Sequence, residues 1–274
     1  MRFAIYQDSH VGGRASNQDR MGYCFTRESL LLLLADGMGG HQNGEVAAAL
    51  SLQTMGALFR EQATPSIHDP SAMLDALIYA AHQSLLRYRA EHRLPETPRT
   101  TIVACLVQQG QAWWAHCGDS RLYWLRGGRI LSRTTDHSHI ERLISLGRVP
   151  PHARAHHPER NRLYNCVGAP TLPQIDKAAP VQLQSGDQLL LCSDGLWSSV
   201  REHELAYRLS VGPLEQSVPE LVRQAAQAGG KTGDNVTALA MTWLDDLHDP
   251  GESPLMTDGL PHDRVITSIH PAGV

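Results

Sequence analysis

Ser29-Leu30-Leu31-Leu32-Leu33-Leu34-Ala35-Asp36-Gly37-Met38-Gly39-Gly40-His41 is the stretch on which the reading turns. Leu30 to Ala35 is an unbroken apolar run, without the period of two of a half-exposed strand or the period of 3.6 of an amphipathic helix. Short, continuous and closed by the turn signal Asp36-Gly37, it reads as a strand buried on both faces.

Two strands precede it, Phe3–Gln7 and Met21–Thr26. A helix rich in Ala and Leu follows over Gly44–Arg60, and a second spans Pro70–Glu91. Asp69 is a good N-cap for the second, and Pro70 suits its first position. Met73, Leu74, Leu77, Ala81, Leu85 and Tyr88 recur every three or four residues and make one buried stripe. Strands return at Thr100–Gln108, Ala112–Cys117, Arg121–Leu125 and Arg129–Ser132, the last two joined by a tight Gly127-Gly128 hairpin. A short helix at His139–Leu146 leads into Arg148–Arg162, whose Pro, His and Arg content reads as a mobile surface flap. Gln188–Cys192 is a strand, Glu202–Leu209 and Pro219–Ala228 are helices, and Asn235–Trp243 is the last strand. The strands come in hairpin-like clusters without regular β-α-β alternation, which predicts antiparallel sheets with helices packed outside. Residues 1–245 form one domain. Residues 246–274 lose periodicity and read as a C-terminal tail, weakly packed or disordered.

Composition narrows the function classes. The chain has 274 residues, 24 Lys+Arg against 28 Asp+Glu and 15 His, a formal charge of −4. That mildly acidic balance argues against nucleic acid as a partner. The greasy run falls far short of the roughly 20 residues needed to span a bilayer, and MRFAIYQDSH has no apolar secretory core. No membrane association is expected. Cys24, Cys105, Cys117, Cys166 and Cys192 are odd in number, lie in apolar contexts and form no Cys-x-x-Cys pair. They read as reduced, buried thiols of a cytoplasmic protein.

Asp36, Asp119, Asp194 and Asp234 share one local pattern, each at the edge of an apolar strand with glycine beside it. Taken singly, each fits a turn. Several desolvated carboxylates repel one another and gather only around cations, and oxygen ligands favour Mg²⁺ or Mn²⁺ over zinc. Spacing alone does not bring the four together.

Seven motifs in order do more. Arg14-Ala-Ser-Asn17-Gln18-Asp19, Asp36-Gly-Met-Gly-Gly-His41, Thr100-Thr101, Gly118-Asp119-Ser120-Arg121, Asp136-His137-Ser138, Ser193-Asp194-Gly195-Leu196 and Gly233-Asp234-Asn235-Val236-Thr237 resemble the bacterial metal-dependent protein serine/threonine phosphatases of type 2C over roughly residues 1–244. The resemblance implies an α+β fold, a four-layer α-β-β-α sandwich of two antiparallel sheets flanked by helix pairs. It implies two Mn²⁺ or Mg²⁺ ions at one end, with a third in some members. Asp36 matches the bridging ligand, the Gly37 carbonyl a ligand of one ion, Asp194 and Asp234 ligands of the other, and Asp119 a ligand of the third. Asp19 matches an acidic residue acting through metal-bound water, with Gln18 and Asn235 beside it in the same supporting layer. Arg14 matches the guanidinium that grips phosphate. The implied reaction is hydrolysis of phosphoserine and phosphothreonine in proteins by in-line attack of a metal-activated bridging water. By analogy, the partners are phosphorylated proteins and a eukaryotic-like serine/threonine kinase; a monomer is the default.

His41 keeps two readings, orienting the metal loop or donating a proton to the leaving oxygen. Gln18 stands where the family often has Glu, Met38 where eukaryotic relatives have His, and Arg99 where Gly is usual. Gln18, Arg99 and the C-terminal tail motivate one alternative, a phosphoprotein-binding pseudo-phosphatase or kinase scaffold. The intact direct ligands favour an active enzyme.

Overall fold

The computed structural model describes residues 1–38, 43–63, 66–244 and 266–271. Its strands fall into two antiparallel sheets. The first sheet contains β1 (Arg2–His10), β6 (Arg121–Arg126), β7 (Arg129–Arg133), β10 (Gln188–Cys192) and β11 (Val236–Leu244), in the order β1-β11-β10-β6-β7. The second contains β2 (Asp19–Phe25), β3 (Ser29–Asp36), β4 (Ile102–Gln108), β5 (Gln111–Cys117), the two-residue strands β8 (Asp176–Lys177) and β9 (Val181–Gln182), and β12 (Ile266–Pro271). Its order is β12-β2-β3-β4-β5-β8, with β9 also on β5.

The leucine run explains the layers. Along β3, Leu31, Leu33 and Ala35 face α1 (Gly44–Gln62) and α2 (Pro70–Glu91), while Leu30, Leu32 and Leu34 face the other sheet. Alternate side chains of a strand point to opposite faces, so an unbroken apolar run is what a sheet covered on both sides requires. Strand β4 repeats this with Ile102, Ala104 and Leu106 against Val103, Cys105 and Val107. In the first sheet, Leu239, Met241 and Trp243 point inward, while Val236, Ala238 and Ala240 meet α5 (Glu202–Ser210) and α6 (Leu214–Gly229). Three apolar layers separate the four layers of the sandwich, as expected.

Local signals hold where they rest on named chemistry. The Asp69 side chain accepts the Ala72 N–H at 3.0 Å and caps α2. Gly127 and Gly128 both take positive φ, 55° and 73°, as the tight hairpin between β6 and β7 demands. All five cysteines are free and buried.

Three differences stand out. Helix α6 starts at Leu214, ahead of the expected Pro219, because buried Leu214 and Val218 anchor its first turns and Pro219 is carried inside the helix. The flap contains a 3-10 helix, Pro151–His156, after α3 (His139–Ser145). Within the stretch read as a weakly packed tail, Ile266–Pro271 form an edge strand paired with β2 from Phe25 to Arg20. Backbone hydrogen bonds are indifferent to side-chain pattern, so composition did not announce it.

Candidate metal centre

The acidic residues meet because strand ends of both sheets meet. Asp36, closing β3, lies opposite Asp19, which opens β2. The Asp36 N–H donates to Thr101 Oγ1 at 3.1 Å, and Thr100 Oγ1 donates to the Asp36 carbonyl at 2.8 Å. From the first sheet, Ser193 and Asp194 follow β10, and Asp234 stands just ahead of β11. These strands are antiparallel neighbours, with Cys192 opposite Ala238, so both acids reach the same end. Asp194 begins the short helix α4 (Asp194–Trp197).

Side-chain bonds tie the sheets together there. Ser193 Oγ donates to Asp19 Oδ2 at 2.7 Å and accepts the Thr237 N–H at 3.0 Å. Asn235 Oδ1 accepts the Gln18 N–H at 2.9 Å, while its amide donates to the carbonyls of Val11 and Ser16 at 2.8 and 3.0 Å. Glycine is required at two joints. A Cβ on Gly37 would lie 2.3 Å from the Gly44 carbonyl oxygen, and one on Gly195 would lie 2.1 Å from that of Asn235. The backbones beside Asp36 and Asp194 pack too closely for any side chain.

The result is a cleft of about 430 Å³ lined by Arg14, Asp36, Gly37, Asp119, Asp194 and Asp234, with Gln18 and Asn235 at its wall. Asn161 and Leu163 of the flap face it from the other side. Asp19 is buried behind the cleft, and one of its oxygens, Oδ1, has no hydrogen-bond partner. Burial pushes the Asp19 carboxyl up to about 6. Burial, then the Asp136 charge, pushes Asp119 up to about 7. Asp36 is raised well above the usual carboxylate range by desolvation and then by Asp19, Asp194, Asp119 and Asp234. Asp194 is raised by desolvation and then by Asp119, Asp234 and Asp19. Arg14 bonds directly to one of these acids, with Nε and Nη2 donating to the two oxygens of Asp234 at 3.0 and 2.6 Å, and its charge also bears on Asp194 and Asp36.

This donor set fits hard divalent cations. It is all oxygen, it carries more negative charge than the protein compensates, and it includes an orphaned buried carboxylate oxygen. A different set of potential ligands, His116, His137 and Asp176, shares no residue with it. His137 Nδ1 accepts the Asn165 amide at 2.6 Å and the Gly118 N–H at 3.2 Å. The Asn165 orientation is fixed by its two bonds to the Gln174 backbone. The His137 ring proton is therefore placed on Nε2, which lies 3.2 Å from Asp176 without a hydrogen bond to it. A cation there would have to displace that proton, and the trio, with the His116 and His137 rings stacked, stands apart from the acidic cleft.

Of the residues singled out from sequence, Arg14, Gln18, Asp36, Gly37, Asp119, Asp194, Asp234 and Asn235 converge on the cleft, and Asp19 lies directly behind it. His41 lies outside the described residues. The Arg14 fork closes on Asp234. Gln18 donates to Glu45 Oε2 at 3.3 Å, so a carboxylate not singled out from sequence stands beside the position that lacks one. Its only sequence signal is its place in the first turn of α1, just after the glycine-rich loop. Asn161 and Leu163 were passed over because a polar flap gives no periodic cue.

A two-sheet sandwich with helices outside and an acidic cleft at one end points to the class of metal-dependent phosphatases. Residues 6–246 match the family model of protein phosphatase 2C, and the chain belongs to that family. It is 31% identical over 268 residues to the serine/threonine protein phosphatase PstP of Mycobacterium tuberculosis, covering 96% of this chain and 49% of that protein. The chain thus spans about half the length of this relative. It is 30% identical to the protein phosphatase PhpP of Streptococcus pneumoniae, covering 84% of this chain and 92% of that one. The solved catalytic domain of PstP in complex with two manganese ions superposes with a TM-score of 0.75 at 29% identity, covering 89% of this chain and 99% of that structure. Among the described residues no helix is long and apolar enough to cross a membrane.

Proposed function

We propose that this chain removes phosphate from phosphoserine and phosphothreonine in proteins, using Mn²⁺ or Mg²⁺. The observation that carries the reading is the convergence of Asp36, Asp119, Asp194 and Asp234 on one cleft with Arg14 as its answering cation. Asp36 and the Gly37 carbonyl from one sheet, with Asp194 and Asp234 from the other, would hold two ions, and Asp119 would hold a third. When bound, such ions supply a water-derived nucleophile at neutral pH and neutralise charge on the phosphoryl oxygens.

The protein's own groups do the rest. Arg14 exchanges Asp234 for the substrate phosphate, whose oxygens suit the same two-pronged grip. Asp19, through Ser193, and Asn235, through Gln18, keep the two sheets in register at the cleft. Asn161 and Leu163 bound the path of the peptide. His41 remains the candidate proton donor to the leaving oxygen. The named activities of PstP and PhpP support the substrate class. A eukaryotic-like serine/threonine kinase is the proposed partner, and the protein is read as a cytoplasmic monomer.

Purified protein should hydrolyse a phosphothreonine peptide with Mn²⁺ and stop on chelation. Turnover that survives complete removal of metal would overturn the reading. Metal and phosphopeptide binding without turnover would establish the pseudo-phosphatase instead.

A further inference from the structure

The flap returns to the body of the protein beside the cleft. Its last limb is stitched to the strand-like segment after Asp136: Ser138 bridges Leu163, His139 donates to the Arg162 carbonyl at 2.9 Å, and Tyr164 donates to the His137 carbonyl at 3.0 Å. This fixes the base of the flap, including Leu163 at the cleft wall. The 3-10 helix farther out is held in another way.

Arg154, on that helix, donates from Nη1 to Asp136 Oδ2 at 2.7 Å, and its other terminal nitrogen meets Glu141 of α3. Asp136 is fully buried and already bonded through both oxygens to Arg121 at 2.8 Å each. Arg121 stacks on Trp197 with its guanidinium carbon 3.7 Å from the ring centre. Trp197 Nε1 donates to the Asp119 carbonyl at 2.9 Å. One continuous line of contacts thus runs from the flap, through two arginines and a buried carboxylate, to the backbone of a cleft acid. The first limb of the flap hangs on the Leu143 carbonyl through the Arg148 and Val149 N–H groups, and the short helix lies beyond it. A charge-assisted bond to a buried acid is the strongest single restraint available to such a segment.

Resting on the phosphatase reading above, we infer that Arg154 is a latch: a positioning residue that pins the flap against Asp136 and thereby sets how protein substrates, but not small phosphate esters, are held at the cleft. Asn161 and Leu163, where the flap rejoins the body, line the cleft together with the acids. A long peptide must pass them, whereas a compact ester reaches the acids without them. Arg154→Ala leaves Asp136 paired with Arg121, so that buried carboxylate keeps a partner. Glu141, 13% exposed with its Oε2 buried, loses its cation in Arg154→Ala, and Arg154→Lys restores one.

The test compares wild type, Arg154→Ala and Arg154→Lys. Amide hydrogen exchange across the flap is read without substrate or metal, so it reports on the latch whether or not the protein turns over. Exchange in the flap should quicken about tenfold or more in Arg154→Ala, the size of one charge-assisted bond, and be partly restored in Arg154→Lys. With Mn²⁺, KM for a phosphothreonine peptide should rise about tenfold in Arg154→Ala with kcat held, while both constants for p-nitrophenyl phosphate stay at the wild-type values. Unchanged flap exchange overturns the latch. An equal fall in kcat for peptide and ester also overturns it, since the residue would then act on the acids and not on the flap. Loss of all turnover in the wild type would strike the phosphatase reading and leave the exchange result to decide the latch.

Discussion

Two buried charge clusters lie within one protein and behave oppositely. Around Asp136, charges alternate: Arg121, Asp136, Arg154 and Glu141, with Arg133 close by. Burial alone would raise the Asp136 carboxyl, but Arg121, through bonds and charge, and then Arg154 and Arg133 hold it below its usual range. In the cleft, five acids face a single arginine, and four of them are pushed up. The first cluster is complete without outside help. The second is stable only when protonated or when something positive arrives. A fold satisfies the charges that hold it together and leaves unsatisfied those meant for a ligand.

The largest expected break is Asp36→Asn. It should cut Mn²⁺-dependent turnover about a thousandfold or more, measured as kcat on a phosphopeptide. In the chelated protein it should do the reverse of harm, raising Tm by about 2–4 °C, since one repelling charge is gone. A fall in Tm would show that the cleft acids are paired after all. In the alternating cluster the sign flips: Arg121→Met leaves buried Asp136 with Arg154 alone and its Oδ1 unpaired, and should cost about 3–5 kcal/mol in urea unfolding.

Acidity separates the clusters again. Asp19 and Asp119 hold protons in the folded protein up to about 6 and 7, against 3.8 in the unfolded chain. Between those values the folded state binds more protons. Metal-free stability should therefore fall as pH rises from about 4 to about 7, by about 1.4 kcal/mol per pH unit for each group still protonated. Asp136, lowered, adds stability above its unfolded value of 3.8 that is lost as pH falls below it. Thermal melts with chelator across this range test both slopes, and saturating Mn²⁺ should abolish the first. The smallest effect belongs to the surface pair Lys177–Asp75, 2.6 Å apart and part-exposed. Lys177→Ala should cost less than about 1 kcal/mol, which would confirm that burial, more than pairing, gives the Asp136 cluster its weight.

Much of this was legible in the sequence, and the reasons differ by residue. Leu30 to Ala35 announced a doubly covered sheet because side-chain alternation leaves no other use for six apolar residues in a strand. Asp36, Asp119, Asp194 and Asp234 were visible as acids at strand ends, but their meeting depends on the pairing of β10 with β11 and on the register of β2 with β3, which no local pattern encodes. The ordered motifs supplied that. Asn235 could be named, yet its bonds to Val11, Ser16 and Gln18 span the chain and leave no periodic trace. Arg154 looked like any arginine of a polar flap, because its partner, Asp136, is recognisable as buried only in three dimensions. The strand Ile266–Pro271 was hidden for a related reason, since edge pairing uses the backbone.

Strand β1 pairs residue for residue with β11, from Arg2 opposite Leu244 to His10 opposite Val236. During translation β1 must therefore wait for the distant β11 to leave the ribosome, and Asp234 emerges just ahead of β11. Sheet pairing across so long a separation is slow to form. A chain interrupted ahead of β11 would carry Asp19, Asp36 and Asp194 without Asp234 to complete the cleft, so the acidic cluster assembles only after both strands are made.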